Sequence, residues 1–383
     1  MFWWLLFLPL LLWAKPLEVD VSARSAILMN AQTGAVLFEK EAHEPRYPAS
    51  TTKVATALFL LEEAKMDWAM PVVVSREALR VKPMRGEAAP YLLDPEGSAM
   101  GLEVGDVFTV EELMHGMLMS SGNDAANALA EKVGGTIPLF VDRMNAYLKG
   151  LGCCGTQFYN PHGLHYEAHR TTAFDLALMA RRALLYPLFR NIVSKAKWTV
   201  PGGKELVQTN HLVREGEFFD PRVIGVKTGF TSDAGYALVA AAEVGGRRLI
   251  AVVLEAPSRN ARYRDVKALF DAAYGETKVV HPLFAKGQLF ERSVEGGIGA
   301  LRARLEKALV MEYYPAEEPK LHAVAHWTLP ELPIAAGTAV GTIRVLGADD
   351  QVLLEGSLVA TETVEETWGH AIERLWHQAL SFW

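Results

Sequence analysis

The chain is poor in cysteine. Its only two, Cys153 and Cys154, are adjacent in a sequence of 383 residues. They cannot staple distant segments, so no disulfide framework holds this fold, and two small apolar side chains are the plain reading of the pair. The chain also lacks a basic excess. With 38 Lys and Arg against 45 Asp and Glu its formal charge is −7, which excludes the basic face that nucleic acid requires. Its most apolar stretch, Met1 to Ala14, is too short to span a bilayer. There is no internal repeat, no low-complexity segment, no His-Glu-x-x-His and no Gly-x-Ser-x-Gly, so zincin and α/β-hydrolase chemistry have no motif to stand on. What is present is an ordinary globular balance, 50% hydrophobic and 22% charged, over a length that favours two domains with ample core.

Residues 1–14 suit the core of a secretory signal, with Ala14 at a plausible cleavage point. No Lys or Arg precedes the apolar run, and Leu12 is large for the position two before Ala14. Export is the expectation, with a retained anchor as the alternative.

The chain is organised around Pro48-Ala49-Ser50-Thr51-Thr52-Lys53 and the apolar run Val54 to Leu61 that follows. The run reads as a buried helix whose first turn carries Ser50 and Lys53. Residues three apart share a face, so the hydroxyl and the amine can meet. A serine needs a base within hydrogen-bond reach, and a neutral lysine can supply it. The positive helix end favours an unprotonated amine and points N–H groups at an anion forming on Ser50. Alone, Ser-x-x-Lys says little: about one or two are expected by chance in a chain this long. A second, Ser194-Lys195-Ala196-Lys197, does occur.

Two further motifs accompany it. Ser121-Gly122-Asn123 falls on a turn between two helical patterns, where a hydroxyl and an amide can enter a cleft, although taken alone helix capping is the better explanation. Ser258-Arg259-Asn260 shows how cheap that pattern is. Lys227-Thr228-Gly229 ends an apolar strand and occurs once. It offers a cation, a hydroxyl, edge N–H groups and a glycine that permits close approach.

Around these motifs the pattern is strand, helix, strand. Ser25–Met29 and Ala35–Glu39 read as a hairpin across Asn30-Ala31-Gln32-Thr33-Gly34. Residues 76–105 are polar and marked by Pro and Gly. Helices follow near 110–118, 125–133, 137–148 and 173–185, the last capped by Thr171-Thr172. Strands return at 224–230, 236–244 and 247–255, with Gly245-Gly246 at a tight turn, before a helix near 263–274. The economical assembly is α+β: a five-stranded antiparallel sheet with a large helical block. From His281 the texture changes to short strands, at 332–341 and 351–360, in a small β-rich domain. Residues 299–310 have helical propensity amid strand-like neighbours. Residues 363–383 read as one amphipathic helix. The expected domains are thus a leader over 1–14, a main domain over 22–276, a small β-rich domain over 281–361 and a helix over 362–383.

Taken in order, Ser-x-x-Lys, Ser-x-Asn and Lys-Thr-Gly form the motif set of β-lactamases and penicillin-binding proteins. The chain resembles the D-alanyl-D-alanine carboxypeptidases, the serine-type low-molecular-mass penicillin-binding proteins, over about residues 25–275. The likeness includes Lys227 to Gly235 and Phe158-Tyr159-Asn160-Pro161-His162-Gly163-Leu164-His165. It implies that the enzyme removes the terminal D-alanine of peptidoglycan stem peptides. Ser50 would attack the penultimate D-alanine carbonyl and form an acyl-enzyme. Lys53 would be the base, kept neutral by burial and by Lys227, and Ser121 would relay a proton to the departing D-alanine. Asn123 would hold the peptide and orient Lys53. The N–H groups of Ser50 and Phe230 would form an oxyanion hole, with Gly229 at the strand edge. Lys227, Thr228 and an arginine would bind the terminal carboxylate. Family spacing selects Arg262, with Arg259 and Arg264 close by. β-Lactams would act as inhibitors, and neither metal nor cofactor is expected.

Rival readings are a class A β-lactamase, a DD-endopeptidase and a penicillin- or wall-binding module without turnover. The first wants a deacylating glutamate, which Glu167-Ala168-His169-Arg170 does not match. Gly150-Leu151-Gly152-Cys153-Cys154-Gly155 fits a dinucleotide glycine pattern but follows a helix instead of a strand. His162, His165 and His169 have the spacing of metal ligands, yet lie in a segment resembling a metal-independent family.

The final helix carries Val364, Trp368, Ala371, Ile372, Leu375, Ala379 and Trp383 on one stripe, widened by Trp376, Leu380 and Phe382. The expectation is that it lies in the membrane interface, on the periplasmic side of the cytoplasmic membrane, unless the stripe packs on the β-rich domain or a partner subunit.

Overall fold

The computed structural model describes residues 8–10, 15–63, 67–83, 88–317, 319–348 and 350–380. The remainder of the expected leader, and Phe382 and Trp383, lie outside them. The chain forms two compact units, Pro16–Gly275 and Glu276–Trp383 with Met1–Lys15.

The first unit is built on a sheet of five antiparallel strands: β1 (Ser25–Asn30), β2 (Val36–Lys40), β3 (Val223–Thr231), β4 (Gly235–Val244) and β5 (Arg247–Ala256), in the order β2-β1-β5-β4-β3. The central strands are nearly continuously apolar because both faces are covered. Ile250, Val252 and Leu254 join the core that contains the helical block. Leu249, Ala251 and Val253, pointing the other way, are equally buried, and α7 (Arg259–Tyr274) packs on β4 and β5.

The helical block comprises α1 (Thr52–Glu63), α2 (Val110–Met119), α3 (Asn123–Gly134), α4 (Ile137–Gly150), α5 (Ala173–Ala183) and α6 (Pro187–Ser194). α1 is apolar on all sides, as the run Val54–Leu61 requires, and is surrounded by α2, α3, α4 and α5. A helix buried all round has no polar face to lose, so its position is determined by packing alone. Phe59 meets Phe140 edge-on with ring centroids 5.1 Å apart. α2 opens with a capping box, the Thr109 side chain on the Glu112 N–H and the Glu112 carboxylate on the Thr109 N–H. Its end at Ser120 meets the start of α3 at Asn123, leaving Ser121 and Gly122 as the joint. Thr172 caps α5.

The second unit contains β6 (Val279–Phe284), β7 (Leu289–Ser293), β8 (Ala300–Leu305), β9 (Leu309–Tyr313), β10 (Leu321–Trp327), β11 (Ala339–Leu346) and β12 (Val352–Ala360). β10, β11, β12, β8 and β7 are neighbours in that order, Leu8–Leu10 adds an antiparallel edge strand to β10, and β6 pairs with β9. Residues 299–310 resolve as strand. In Ala300–Leu305 the burial alternates, with Leu301, Ala303 and Leu305 inward between outward arginines. That period of two outweighs helical propensity. The expected strand over 332–341 begins only at Ala339, after Pro333, which has no N–H to contribute to a ladder.

The final helix, α8 (Trp368–Leu380), starts later than its hydrophobic spacing indicates. Residues before it are extended: Val364 bridges Ile334 and is buried in the β-rich core, so it does not belong to the helical stripe. Glu366 accepts hydrogen bonds from His370 and Arg374 and holds the polar side of α8. The apolar side is open, with Trp368 86% and Trp376 66% exposed beside exposed Ile372 and Leu375. No helix among the described residues is long and apolar enough to cross a membrane.

Candidate active site

Ser50 occupies a 3₁₀ turn, Ala49–Thr51, that runs directly into α1. The turn is set by Thr51, whose hydroxyl donates to the Pro48 carbonyl at 2.7 Å, and by Thr52, whose hydroxyl donates to the Ala49 carbonyl at 2.9 Å. Ala49 is held at φ 48°, a strained value for a residue with a Cβ. One turn on, Lys53 is completely buried, and its Nζ lies 3.0 Å from Ser50 Oγ, 2.7 Å from Asn123 Oδ1 and 2.7 Å from the His162 carbonyl oxygen. Burial, with the Lys227 cation second, pushes the Lys53 pKa well below the usual lysine range, while Asp124 opposes the shift.

The contact partners explain what a neutral amine does here. Neutral Nζ has two N–H groups and one lone pair. The carbonyl oxygens of Asn123 and His162 accept hydrogen bonds, and they occupy the two N–H groups at the two shorter distances. The lone pair is left for the third neighbour, the Ser50 hydroxyl.

Asn123 is the first residue of α3, and its neighbour Asp124 anchors the loop beside it. The Asp124 carboxylate accepts the N–H groups of Met100, Gly101 and Leu102, and the Asn123 N–H donates to the Ser98 carbonyl. Ser121, at the joint between α2 and α3, is held at φ 63° and lines the cavity in front of Ser50.

The opposite wall is β3. Lys227 is fully buried, and burial and the Arg262 cation lower its pKa to about 7. Its Nζ donates to the Thr228 carbonyl at 2.9 Å, and the Thr228 hydroxyl donates to Thr209 Oγ1 at 2.8 Å. Gly229 faces the nucleophile turn: a Cβ there would stand 2.9 Å from the Pro48 oxygen and 3.2 Å from the Ser50 nitrogen. Phe230 stacks on Tyr236 at the cavity mouth, ring centroids 4.4 Å apart. Arg262, on α7, is buried. It donates to the Gly229 and Ala237 carbonyls at 3.0 and 3.2 Å and to the Tyr263 hydroxyl at 3.0 Å. Arg259 also lines the cavity; Arg264 does not.

The cavity measures about 390 Å³ and is lined by Ser50, Ser121, Thr228, Gly229, Phe230 and Arg262 together with Ser98, Thr209, His211, Arg214, Tyr236 and others. Among the described residues no carboxylate lines it. Glu167 lies in the open, its side chain 88% exposed and paired to Arg170.

Of the three histidines singled out by spacing, His165 is partly exposed with Nδ1 3.6 Å from the Asp233 carboxylate, and His162 and His169 serve the scaffold. His162 Nδ1 accepts the Leu164 N–H, which leaves Nε2–H to donate to the Tyr91 carbonyl. His169 Nδ1 accepts the Tyr159 N–H, and its Nε2 faces the Thr52 hydroxyl at 2.9 Å. Burial holds both rings neutral. No group of three His, Cys, Asp or Glu among the described residues is arranged to hold a metal. The second Ser-x-x-Lys ends α6, and its Ser194 hydroxyl donates to the Asn191 carbonyl. Gly150–Gly155 follows α4 and does not lead into a helix, as its position indicated.

Sequence reasoning missed the His162 carbonyl, Asp124, Thr209, His211 and Arg214. The first acts through its backbone, which no side-chain pattern reveals, although the Asn160-Pro161-His162-Gly163 turn marked the place.

Comparison with known proteins agrees with this geometry. A family model described as D-alanyl-D-alanine carboxypeptidase matches residues 13–258. The chain is 31% identical to D-alanyl-D-alanine carboxypeptidase DacF of Bacillus subtilis, over 91% of this chain and 87% of that protein. It is 33% identical to the carboxypeptidase DacD of Escherichia coli, over 92% of this chain and 89% of that one. Among solved structures, penicillin binding protein 5 from Haemophilus influenzae superposes with a TM-score of 0.64 at 26% identity, covering 92% of this chain and all of that one.

Gly163 supplies a test of how the site is assembled. At φ 90° it packs on the nucleophile turn, where a Cβ would collide with the Ala49 carbonyl oxygen. Gly152 has a similar φ of 93° but open space around it. Gly152→Ala should lose about 1–2 kcal/mol from backbone strain alone and keep β-lactam labelling. Gly163→Ala should lose more stability and most of its labelling at Ser50. Thermal melting and intact-mass measurement on the two variants check the difference.

Proposed function

Since the chain belongs to the D-alanyl-D-alanine carboxypeptidase family, a family of serine-type hydrolases, we propose that its own residues perform that reaction on peptidoglycan stem peptides as follows. The observation that carries the reading is the placement of Lys53 Nζ, fully buried and 3.0 Å from Ser50 Oγ with both N–H groups otherwise engaged.

Neutral Lys53 takes the Ser50 proton as Oγ attacks the carbonyl of the penultimate D-alanine. The oxygen of the tetrahedral intermediate is met by the N–H groups of Ser50 and Phe230. The C–N bond breaks, the proton passes from Lys53 through Ser121 to the departing D-alanine nitrogen, and an ester to Ser50 remains. Water then adds to the ester, gives a proton to Lys53, and Ser50 recovers its own. Asn123 holds the peptide and orients Lys53. Lys227, Thr228 and Arg262 bind the terminal carboxylate, and Gly229 allows the substrate backbone to lie along β3. A β-lactam follows the first half of this path and stays on Ser50 as an acyl group. That no carboxylate among the described residues lines the cavity disfavours a β-lactamase that deacylates through a glutamate.

Penicillin should add one acyl group, at Ser50. Ser50→Ala should abolish both labelling and D-alanine release. Lys53→Arg should reduce both by at least about 100-fold with an intact circular dichroism spectrum, because arginine keeps the charge and cannot act as a neutral base. A label on Ser194, or near-normal acylation of the arginine variant, would refute the assignment.

The pH profile follows from the two lysines. Lys53 must be neutral, a state its depressed pKa favours; activity is lost as pH falls through that pKa. Lys227 must be protonated to bind a carboxylate, and in the free enzyme it loses its proton above about 7. Bound carboxylate raises that pKa. kcat/KM should therefore decline at lower alkaline pH than kcat does; coincident alkaline limbs would remove Lys227 from carboxylate binding.

The enzyme is proposed to be exported and to sit on the periplasmic side of the cytoplasmic membrane through α8. Support comes from the exposed Trp368, Ile372, Leu375 and Trp376, which do not pack on the β-rich unit. The polar side is acidic apart from Arg374 and histidines, so binding rests on apolar burial. A chain lacking residues 1–14 should sediment with phosphatidylcholine vesicles and with little salt dependence. The same chain ending at Thr367, which retains Val364 in its core, should stay in solution and still release D-alanine. Equal behaviour of the two chains would refute the anchor.

A further inference from the structure

The active-site cavity has more positive charge than a single carboxylate needs. Its lining includes Arg214, Arg259 and Arg262 and, among the described residues, no Asp or Glu, and Lys227 is buried behind it. This is a concentration of cations in a protein of net charge −7. Lys227 and Arg262 suffice for the terminal carboxylate. Arg214 and Arg259 are surplus to it.

Neither surplus arginine is occupied by protein acid. Arg214 donates to the Gln208 carbonyl at 3.2 Å and to His211 Nε2 at 2.8 Å, two of its five N–H groups. Glu215 and Glu217 follow it in the chain and form no ion pair with it among the described residues. Arg259 is exposed, begins α7, and has no carboxylate partner among the described residues. His211 lines the same cavity. Its ring stacks on Tyr263, centroids 5.4 Å apart, and its Nε2 accepts from Arg214, so it is neutral and adds no charge of its own. Burial first, then Arg214, Arg262 and Arg259, hold its pKa down. A guanidinium held by hydrogen bonds yet lacking a counter-ion, in a cavity with no carboxylate of its own, is a prepared site for an anion.

We propose that Arg214 and Arg259 form a second anion subsite that reads a side-chain carboxylate on the residue preceding D-Ala-D-Ala. This rests on the carboxypeptidase reading above and extends it: the favoured substrate is a peptide whose third-from-last residue is a dicarboxylate, in preference to one that is neutral or cationic there. The subsite contributes binding and selectivity. It moves no proton and touches no reacting atom.

The experiment compares D-alanine release from N-acetyl-L-glutamyl-D-Ala-D-Ala and N-acetyl-L-glutaminyl-D-Ala-D-Ala, which differ by one charge and almost nothing in shape. kcat/KM should favour the glutamyl peptide by at least about tenfold, the scale of one or two charge-assisted hydrogen bonds, and the preference should shrink as salt is raised. In Arg214→Gln/Arg259→Gln the ratio should fall to about one, while release from the glutaminyl peptide stays within about threefold of the parent. Arg259→Gln alone, at an exposed position, should lose part of the preference and guards against misfolding of the double variant. If the parent enzyme hydrolyses both peptides at equal rates, or the preference survives both substitutions, the subsite is refuted while the carboxypeptidase reading stands. If it releases D-alanine from neither, the carboxypeptidase reading fails and the subsite with it.

Discussion

Everything at the centre of this molecule depends on burying an amine. A lysine ammonium withdrawn from water is costly unless paired, and no carboxylate touches Lys53. Burial pushes its pKa well below the usual lysine range, and Lys53 is surrounded by three oxygens, two of them carbonyls that take its N–H groups. The helical block is arranged to make that enclosure. α1 carries the lysine through the densest part of the core, α3 presents Asn123 at its first residue, and the Asn160–Gly163 turn brings the His162 carbonyl over the top. Because Gly163 lies directly on the Ala49 carbonyl, the turn and the nucleophile hold each other in place.

Lys227 poses the same problem with the opposite solution. It too is fully buried without a carboxylate, and Arg262 lies near enough to lower its pKa further. An anion entering the cavity relieves both. Among the described residues no carboxylate lines the cavity to offset these charges. With no acid in the lining among the described residues, nothing there competes for the arginines. The strain at Ala49 and Ser121, both at positive φ, belongs to the same picture, since both residues border the reacting hydroxyl.

The C-terminal unit follows different rules. Its core is made by alternating strands, and Val364 completes it just before α8 begins. The helix is thus hung from a strand that is part of the core, with Glu366 gripping His370 and Arg374 to set its direction. Its apolar side is left exposed because its polar side is the one engaged with the unit.

The sequence alone determined the family, the three motifs in order and the α+β class, because Ser-x-x-Lys, Ser-x-Asn and Lys-Thr-Gly demand particular side chains at short spacing. It also determined α1, since an apolar run of that length has no alternative but burial. It was ambiguous over residues 299–310, where helical propensity masked a period of two, and it placed Val364 on a helix that starts four residues later. Tertiary structure alone decided the rest. Which serine of two Ser-x-x-Lys motifs has a buried amine against its hydroxyl depends on what packs around it. The lysine's second acceptor is a backbone carbonyl more than a hundred positions away. Arg214 and Arg259 come to line one cavity only because the loop before β3 packs against α7, with His211 and Phe218 on Tyr263. Spacing along a chain reports contacts within one element; burial, carbonyl direction and the meeting of distant charges are properties of the packed fold.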